Sequence, residues 1–501
     1  MGGTVQYIIK SFGWGVFAKF LDSGIKFFTV SYLIKYFGKE DYALIAVAMS
    51  VNAYLQLLDM GVNTGAIKYF SSWIAERKMD LLDSVVRISI FFYGMIGLIN
   101  ALVLILVAFF GMSVFSITIA QEETLKIMFL VLAAFSILNW STSVFNQLLT
   151  ANGEVYFVQQ VNIVRSLLSL VLVFLTIWFK WNVDSYFIGF TIVNTFSLAP
   201  FYWRSKKREL ITTFLPKFDW GNFRPIWKYS LAILAMGVFS MSAVKLRPII
   251  LSIFSDKGIG IVTEYRVMET ITIFILSIGS MSSSIFLPKT SEMILNKDQL
   301  KIERFVYEGT LFISIICTLL CLPIVICSNE ILTLYVGREY THLSMWLSTW
   351  VITILCTLHN TPVSSLVLAT GKTKMLVYST AISCLISLGI NALLCNHIGV
   401  GSAVLGYSVY IFIQMAFYYL YFNNKVLNLD SLRIFKSFIY PAALGMVSLL
   451  LVNILSLHNS SLVLQMIIKC ILFLIFFIAL LLLTNVISIG KIKGIIASKG
   501  F

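Results

Sequence analysis

Charge is what this sequence has least of. Only 12% of its 501 residues are Asp, Glu, Lys or Arg, against about 25% in a soluble globular chain, and that scarcity excludes an ordinary water-exposed surface. Histidine is rarer still, with 4 in the chain. No His or carboxylate joins the cysteines at the spacing of metal ligands, so a metal centre is not expected. A phosphate-gripping Gly-rich loop is missing, which rules out an ATP-driven pump acting on its own. There is no nucleophile–base motif and no long outer loop that could house a polymerase or glycosyltransferase site. The alternating ten-residue segments of a membrane β-barrel are absent as well. A cleavable leader is not expected either: Lys10 followed by Ser11–Ile34 reads as an uncleaved first span, too long and too interrupted by charge for a signal peptide.

What is present in excess is apolar sequence, 59% of the chain, laid out in long blocks such as Ile88–Phe110 and Leu462–Ile489. A helix of about 20 apolar residues crosses a hydrocarbon layer roughly 30 Å thick. In lipid only a helix or a closed barrel satisfies the backbone. The expected class is therefore an all-α polytopic membrane protein. The seven cysteines (Cys317, Cys321, Cys327, Cys356, Cys384, Cys395 and Cys470) all fall inside apolar blocks and read as small buried hydrophobes.

Fourteen spans are predicted: Phe12–Ile34, Tyr42–Ala66, Val85–Phe110, Leu125–Leu148, Val158–Phe179, Tyr186–Trp203, Tyr229–Phe254, Ile261–Leu287, Val306–Cys327, Leu343–Leu368, Leu376–His397, Ala403–Phe422, Phe438–Leu457 and Val463–Ile489. The formal charge of +14 is split among short loops rather than gathered in one patch, which reads as topology and not as nucleic-acid binding. Alternate loops are basic, from Lys68, Arg77 and Lys78 through Arg204–Lys228, Lys289–Arg304, Lys372, Lys374 and Lys425 to the tail Lys491, Lys493 and Lys499. Positive charge marks the cytoplasmic side, so both termini are expected there.

Arg204–Lys228, the longest polar segment, reads as a solvated linker with topological charge, with anionic lipid headgroups as its other partner. It divides the chain into residues 1–228, a six-helix lobe with its linker; 229–424, a second six-helix lobe; and 425–501, two extra helices and a basic tail. A weak repeat agrees. Ala151-Asn152-Gly153-Glu154 and Ala369-Thr370-Gly371-Lys372 recur at the offset that also pairs Gly38-Lys39 with Asp256-Lys257. Such halves are related by an axis along the membrane normal.

Ionisable groups inside spans are costly and so mark candidate sites. In the first span Lys19, Asp22 and Lys26 share a face by their spacing. Two readings stand: a charged cavity wall that receives an anion, or a self-neutralising cluster that locks the helix to its neighbours. Arg165 lies in the fifth span. Lys245 and Arg247 lie in the seventh, pointing apart. Arg247 shares a face with Ser240 and is expected in the cavity, whereas Lys245 is expected to snorkel outward. The eighth span offers Glu264, Arg266 and Glu269, the last two able to pair locally; Asp59 lies late in the second. The acidic residues Asp59, Glu264 and Glu269 are the candidates for coupling to H+ or Na+. Cations outnumber them, and a cationic cavity suits an anion such as a diphosphate. Ser277–Ser284 reads as close helix packing, with sugar-facing hydroxyls as the other reading. His359-Asn360-Thr361-Pro362 marks a bend, and proton coupling at His359 is its functional reading.

Tyr36-Phe37-Gly38-Lys39-Glu40-Asp41-Tyr42, followed by Leu57-Leu58-Asp59-Met60-Gly61-Val62, resembles the opening of the Wzx-like O-antigen and polysaccharide flippases of the multidrug/oligosaccharidyl-lipid/polysaccharide exporter superfamily. Tyr335-Val336-Gly337-Arg338-Glu339-Tyr340 resembles that family's Gly-x-x-Tyr outer loop, and the Ala-x-Gly turns fit too. The resemblance covers essentially the whole chain through loose motifs. It implies two six-helix lobes about a cationic cavity, plus two C-terminal helices. It implies no enzymatic reaction and no cofactor. The implied substrate is an undecaprenyl-diphosphate-linked oligosaccharide moved from the inner to the outer leaflet of the bacterial inner membrane, with the polymerase and chain-length regulator of the pathway as protein partners. Three other functions stay open: a lipid II flippase, a cation-coupled exporter of the same superfamily, whose cavity would be dominated by carboxylates, and an O-antigen polymerase.

Overall fold

The computed structural model describes residues 2–56, 66–67, 69–71, 73–74, 76–218, 221, 237–295, 299–370, 374–455, 461–484 and 486, and their side chains apart from those of 2–20, 277–289, 291–292, 295 and 369. Among these residues there is no strand. The main α-helices among the described residues are α1 (Gly2–Leu55), α2 (Met79–Phe110), α3 (Ile119–Ala151), α4 (Val155–Trp178), α5 (Val183–Thr195), α6 (Leu198–Lys207), α7 (Gly237–Lys245), α8 (Arg247–Phe254), α9 (Ile261–Leu295), α10 (Gln299–Ile326), α11 (Ser328–Tyr335), α12 (Ser344–Leu358), α13 (Thr361–Ala369), α14 (Lys374–Ile398), α15 (Gly401–Phe417), α16 (Ser431–Ile454) and α17 (Leu462–Leu483). Among the described residues 9 helices are long and apolar enough to cross a membrane, or 10 if α7 and α8 form one span. The chain is an all-α polytopic membrane protein. Each of the fourteen expected spans meets at least one of these helices.

The helices start and break where local chemistry says they should. Thr118 caps α3 in a capping box: its hydroxyl accepts from the Gln121 N–H at 3.4 Å and the Gln121 side chain accepts from the Thr118 N–H at 2.9 Å. Asn182 caps α5, accepting from the Ser185 N–H at 3.0 Å. The bend inside α1 falls on Gly38, whose φ of +86° lies in the left-handed region that only glycine enters freely. α7 and α8 meet at 45° around Leu246, with Pro248 in the first turn of α8. The helix breaks where a bend was expected: α12 ends at Leu358 and α13 begins at Thr361 with Pro362 in its first turn.

The described chain forms two compact units, residues 1–270 with 380–406, and residues 271–379 with 407–501. In the first unit α2 and α3 approach closely. A Cβ on Gly97 would sit 2.9 Å from the Ile137 Cα, and Ser136 donates to the Gly97 carbonyl at 2.9 Å. Lipid offers no hydrophobic drive between helices, so small residues that bring backbones together carry the packing. Around them Phe70, Val86, Tyr93, Trp140, Phe145 and Phe201 form the core. Leu210 and Ile211 join the same core, and Phe214 packs on it. That corrects the reading of Arg204–Lys228 as a wholly solvated linker. Residues 208–218 are docked: Asp83 accepts from the Thr212 N–H at 2.7 Å, and Arg87 donates to the Leu215 carbonyl at 2.9 Å. Arg204 and Arg208 converge on Glu154, Arg204 at 2.5 Å, so two of the expected topological charges are spent on an ion pair. The rest of that segment, Gly221 apart, lies outside the described residues.

In the second unit α10 is the hub. Gly445 of α16 lies against Thr318 and Leu322 of α10 with no room for a side chain. α17 presents Phe473, Phe477 and Leu481 to its neighbours at one-turn spacing and leaves Ile467, Ile471, Ile475 and Ile478 about half exposed, as a lipid-facing ridge requires. His359 is packed rather than open, its Nε2 2.9 Å from the Tyr419 hydroxyl and its ring stacked at 4.0 Å on Phe438.

Candidate cationic site

Asp22 and Lys26 stand one turn apart on α1, where i,i+4 spacing brings side chains together. The Lys26 Nζ is 2.7 Å from the Asp22 Oδ2. The other carboxylate oxygen accepts from Ser166 at 2.7 Å, and Ser166 belongs to α4, so Asp22 ties the two helices together. Arg165, the preceding residue of α4, lies within electrostatic reach of Asp22 and is itself part-exposed. The pairing does not consume Lys26. Its side chain is 66% exposed, and an ammonium has three donors of which Asp22 takes one.

Lys245 ends α7 half-buried, with Glu269, Arg266 and Lys26 as its charged neighbours. It was expected to snorkel outward but is half-buried instead, with the Glu269 carboxylate, itself paired with Arg266, within electrostatic reach. Arg247 differs from expectation as well. It is 1% exposed, enclosed at the head of α8, with Tyr265 and Cys384 within electrostatic reach. Asn391 donates to its carbonyl at 3.4 Å and accepts from Ser402 at 2.9 Å. The face shared by Ser240 and Arg247 presumes a straight helix; the bend at Leu246 removes that register.

The charges of α9 serve as braces. Arg266 pairs with Glu269 and also donates to the Ala46 carbonyl at 3.2 Å and to the Ser50 hydroxyl, both on the second leg of α1. Glu264 takes Lys39 at 2.6 Å, while Thr263 donates to the Lys39 carbonyl at 2.6 Å. These contacts hold α9 to α1 at two levels. Near the Gly38 bend the charge is acidic: burial raises the Asp184 carboxyl above its ordinary range, and Asp41 and Glu123 add to it.

Lys26, Arg165 and Lys245 are thus three part-open cations in one unit, with Asp22 and Glu269 as their acidic neighbours. Such a wall offers donors and positive charge to an anion. The side chain of Lys19, residue Asp59 and the side chains of Ser277–Ser284 lie outside what the structure describes. Among the described residues no group of three or more His, Cys, Asp and Glu is placed to hold a metal ion.

Two charged positions escaped the sequence reading. In the second unit Lys469 of α17 lies 2.5 Å from Glu330 of α11, with side chains 18% and 9% exposed. A lone lysine inside the apolar block Leu462–Ile489 was the signal.

Neither a family model nor a curated protein matches the chain. Solved structures do. The lipid II flippase MurJ, in an inward closed conformation, is similar with a TM-score of 0.73 over 92% of this chain and 97% of that one, at 16% identity. A multidrug resistance MATE family transporter of the MOP superfamily, inward-facing, follows at 0.65, 85%, 95% and 14%. A MOP superfamily transporter from Pyrococcus furiosus, whose binding pocket is described as of reverse polarity, gives 0.59, 88%, 96% and 14%. Over most of its length the chain shares the fold of these solved transporters.

Proposed function

We propose that this protein is a flippase, not an enzyme, and that it carries a polyprenyl-diphosphate-linked saccharide across the bacterial inner membrane by alternating access. The observation that carries the proposal is the part-open trio Lys26, Arg165 and Lys245 set in membrane helices. Charge at that depth is expensive unless something uses it, and a diphosphate is the anion that a lipid-linked saccharide brings. A cationic drug would be repelled by the same wall, which counts against the exporter reading despite the MATE likeness.

Two substrates of this chemistry compete. Likeness to the lipid II flippase favours lipid II or a close relative, and that reading takes precedence. The residue resemblance around Gly38 and Gly337 favours a polysaccharide repeat unit such as that of O-antigen. The proposal includes fourteen spans, two six-helix lobes in residues 1–228 and 229–424 with two further helices in 425–501, cytoplasmic termini, and H+ or Na+ as the candidate driving ion.

Deleting the gene separates the readings. The lipid-linked saccharide should still be assembled but should stay on the inner leaflet. If lipid II is the substrate, inner-leaflet lipid II accumulates and wall synthesis stops. If a repeat unit is the substrate, the cells grow but lose surface polysaccharide. A mutant that exports single repeat units and lacks only long chains would instead identify a polymerase.

A further inference from the structure

In the first unit a partly open cavity of about 100 Å³ is lined by Asn52, Gln56, Ser136, Asn139, Trp140 and Ser143. No charged and no aliphatic side chain contributes to this lining. It is built from two helices. Asn52 lies in the last turn of α1 and Gln56 directly follows its end, four residues on; Ser136, Asn139, Trp140 and Ser143 lie at i,i+3 and i,i+4 spacing on α3. In lipid each of these groups would be a liability, and several small polar side chains converging at one place need a reason.

The lining is tied to the helices around it. The Thr195 hydroxyl lies 2.9 Å from both the Asn139 Oδ1 and the Thr191 carbonyl, and the Asn139 amide carries a double donor beside its acceptor. Ser136 gives its proton to the Gly97 carbonyl at 2.9 Å and keeps its oxygen lone pairs. Trp140 is 4% exposed and braced by Tyr93, ring centroids 6.0 Å apart. The result is a mixture of amide donors, amide and hydroxyl acceptors and an indole edge, without net charge. An anion finds no cation here, an acyl chain finds no apolar wall, and a cation finds no carboxylate. The edge of a polyhydroxylated ring, which offers donors and acceptors, matches this set, and the open side of the cavity leaves the rest of the ring outside its volume of about 100 Å³.

The depth fits as well. Measured along the helix from the bend at Gly38, Asp22 is about 24 Å and Lys26 about 18 Å down the first leg of α1, while Asn52 is about 21 Å down the second. Arg266, a charged neighbour of Lys245, donates to Ser50 two residues before Asn52. Ser50 and Asn52 face different sides of the leg, so diphosphate and saccharide would be held by separate groups at one level of the membrane. Resting on the flippase reading above, we infer that this cavity is a carbohydrate subsite for the saccharide part of the substrate.

The test compares two probes bound to the full protein in nanodiscs: undecaprenyl diphosphate, and undecaprenyl diphosphate carrying an N-acetylglucosamine disaccharide. Wild type should bind the sugar-bearing lipid about 10- to 30-fold more tightly. Asn52→Ala with Asn139→Ala should erase that gain, a loss of about 10- to 30-fold, and leave the Kd for the sugarless lipid unchanged, which also certifies the fold. Trp140→Phe, which keeps the packing, should lose part of the gain. Equal binding of both probes by wild type, or an undiminished sugar gain in the double variant, would overturn the subsite. Wild type that binds neither lipid would overturn the flippase reading and the subsite with it.

Discussion

Replacing Lys26 and Lys245 together by Ala abolishes transport while the protein still inserts and accumulates. Each ammonium is part-open and near the other, and each also has a carboxylate close by, Asp22 for Lys26 and Glu269 for Lys245. A charge-assisted hydrogen bond contributes about 1.5–3 kcal/mol, so removing two should weaken diphosphate binding on the order of 100-fold or more. Stability should change little, because the Asp22 carboxylate keeps Ser166 as a partner at 2.7 Å. The same pair explains how a tightly held anion could be released: Asp22 competes with the diphosphate for Lys26, so Asp22→Asn should bind the lipid more tightly and turn over more slowly. Protein level, lipid affinity and transport measured side by side read all three effects. Full transport by the double variant at normal protein level would reduce the cluster to helix-packing electrostatics.

Replacing Lys469 by Ala, in contrast, removes the folded protein. Its ammonium and the largely buried Glu330 carboxylate meet at 2.5 Å between α17 and α11, with only 18% of the lysine side chain exposed. Breaking such a pair from one side leaves an uncompensated charge and costs about 3–5 kcal/mol, whereas replacing both partners by apolar residues of similar size is often neutral. Lys469→Ala and Glu330→Ala should therefore each accumulate poorly, and Lys469→Met with Glu330→Leu should recover both protein level and transport. A double variant that folds but does not transport would move the pair from structure into mechanism.

The all-α membrane class was legible because membrane helices announce themselves by length and apolar content: among the described residues 9 helices, or 10 if α7 and α8 form one span, are long and apolar enough to cross a membrane, and the breaks at Gly38, Leu246 and His359 coincide with glycine, proline and the His359–Pro362 motif. Charge inside spans was legible too. Asp22 with Lys26, and Arg266 with Glu269, are neighbours by spacing alone. What spacing cannot carry is a relation between distant parts of the chain. The partners Ser166 for Asp22, Lys39 for Glu264 and Ser50 for Arg266 belong to other helices or to another leg, and no periodicity encodes them. Arg247 is enclosed and Lys245 half-buried where a helical wheel placed them otherwise, because the wheel assumes a straight helix and Pro248 follows a 45° bend. The polar cavity was missed for a related reason: Asn52 with Gln56, and Ser136 with Asn139 and Ser143, are ordinary one by one and meaningful only where α1 and α3 bring them together.

The most direct measurement is the leaflet on which the lipid resides. Purified protein is reconstituted into vesicles loaded on one side with undecaprenyl-diphosphate-linked disaccharide, and a membrane-impermeant glycosidase or lectin reports the sugars that reach the other side. The account predicts that wild type exposes the saccharide far faster than empty vesicles, that the lipid is chemically unchanged, and that the variant lacking Lys26 and Lys245 is no faster than empty vesicles. Sugars that appear at the same rate with wild type, variant and empty vesicles, or a lipid recovered with longer chains, would contradict it.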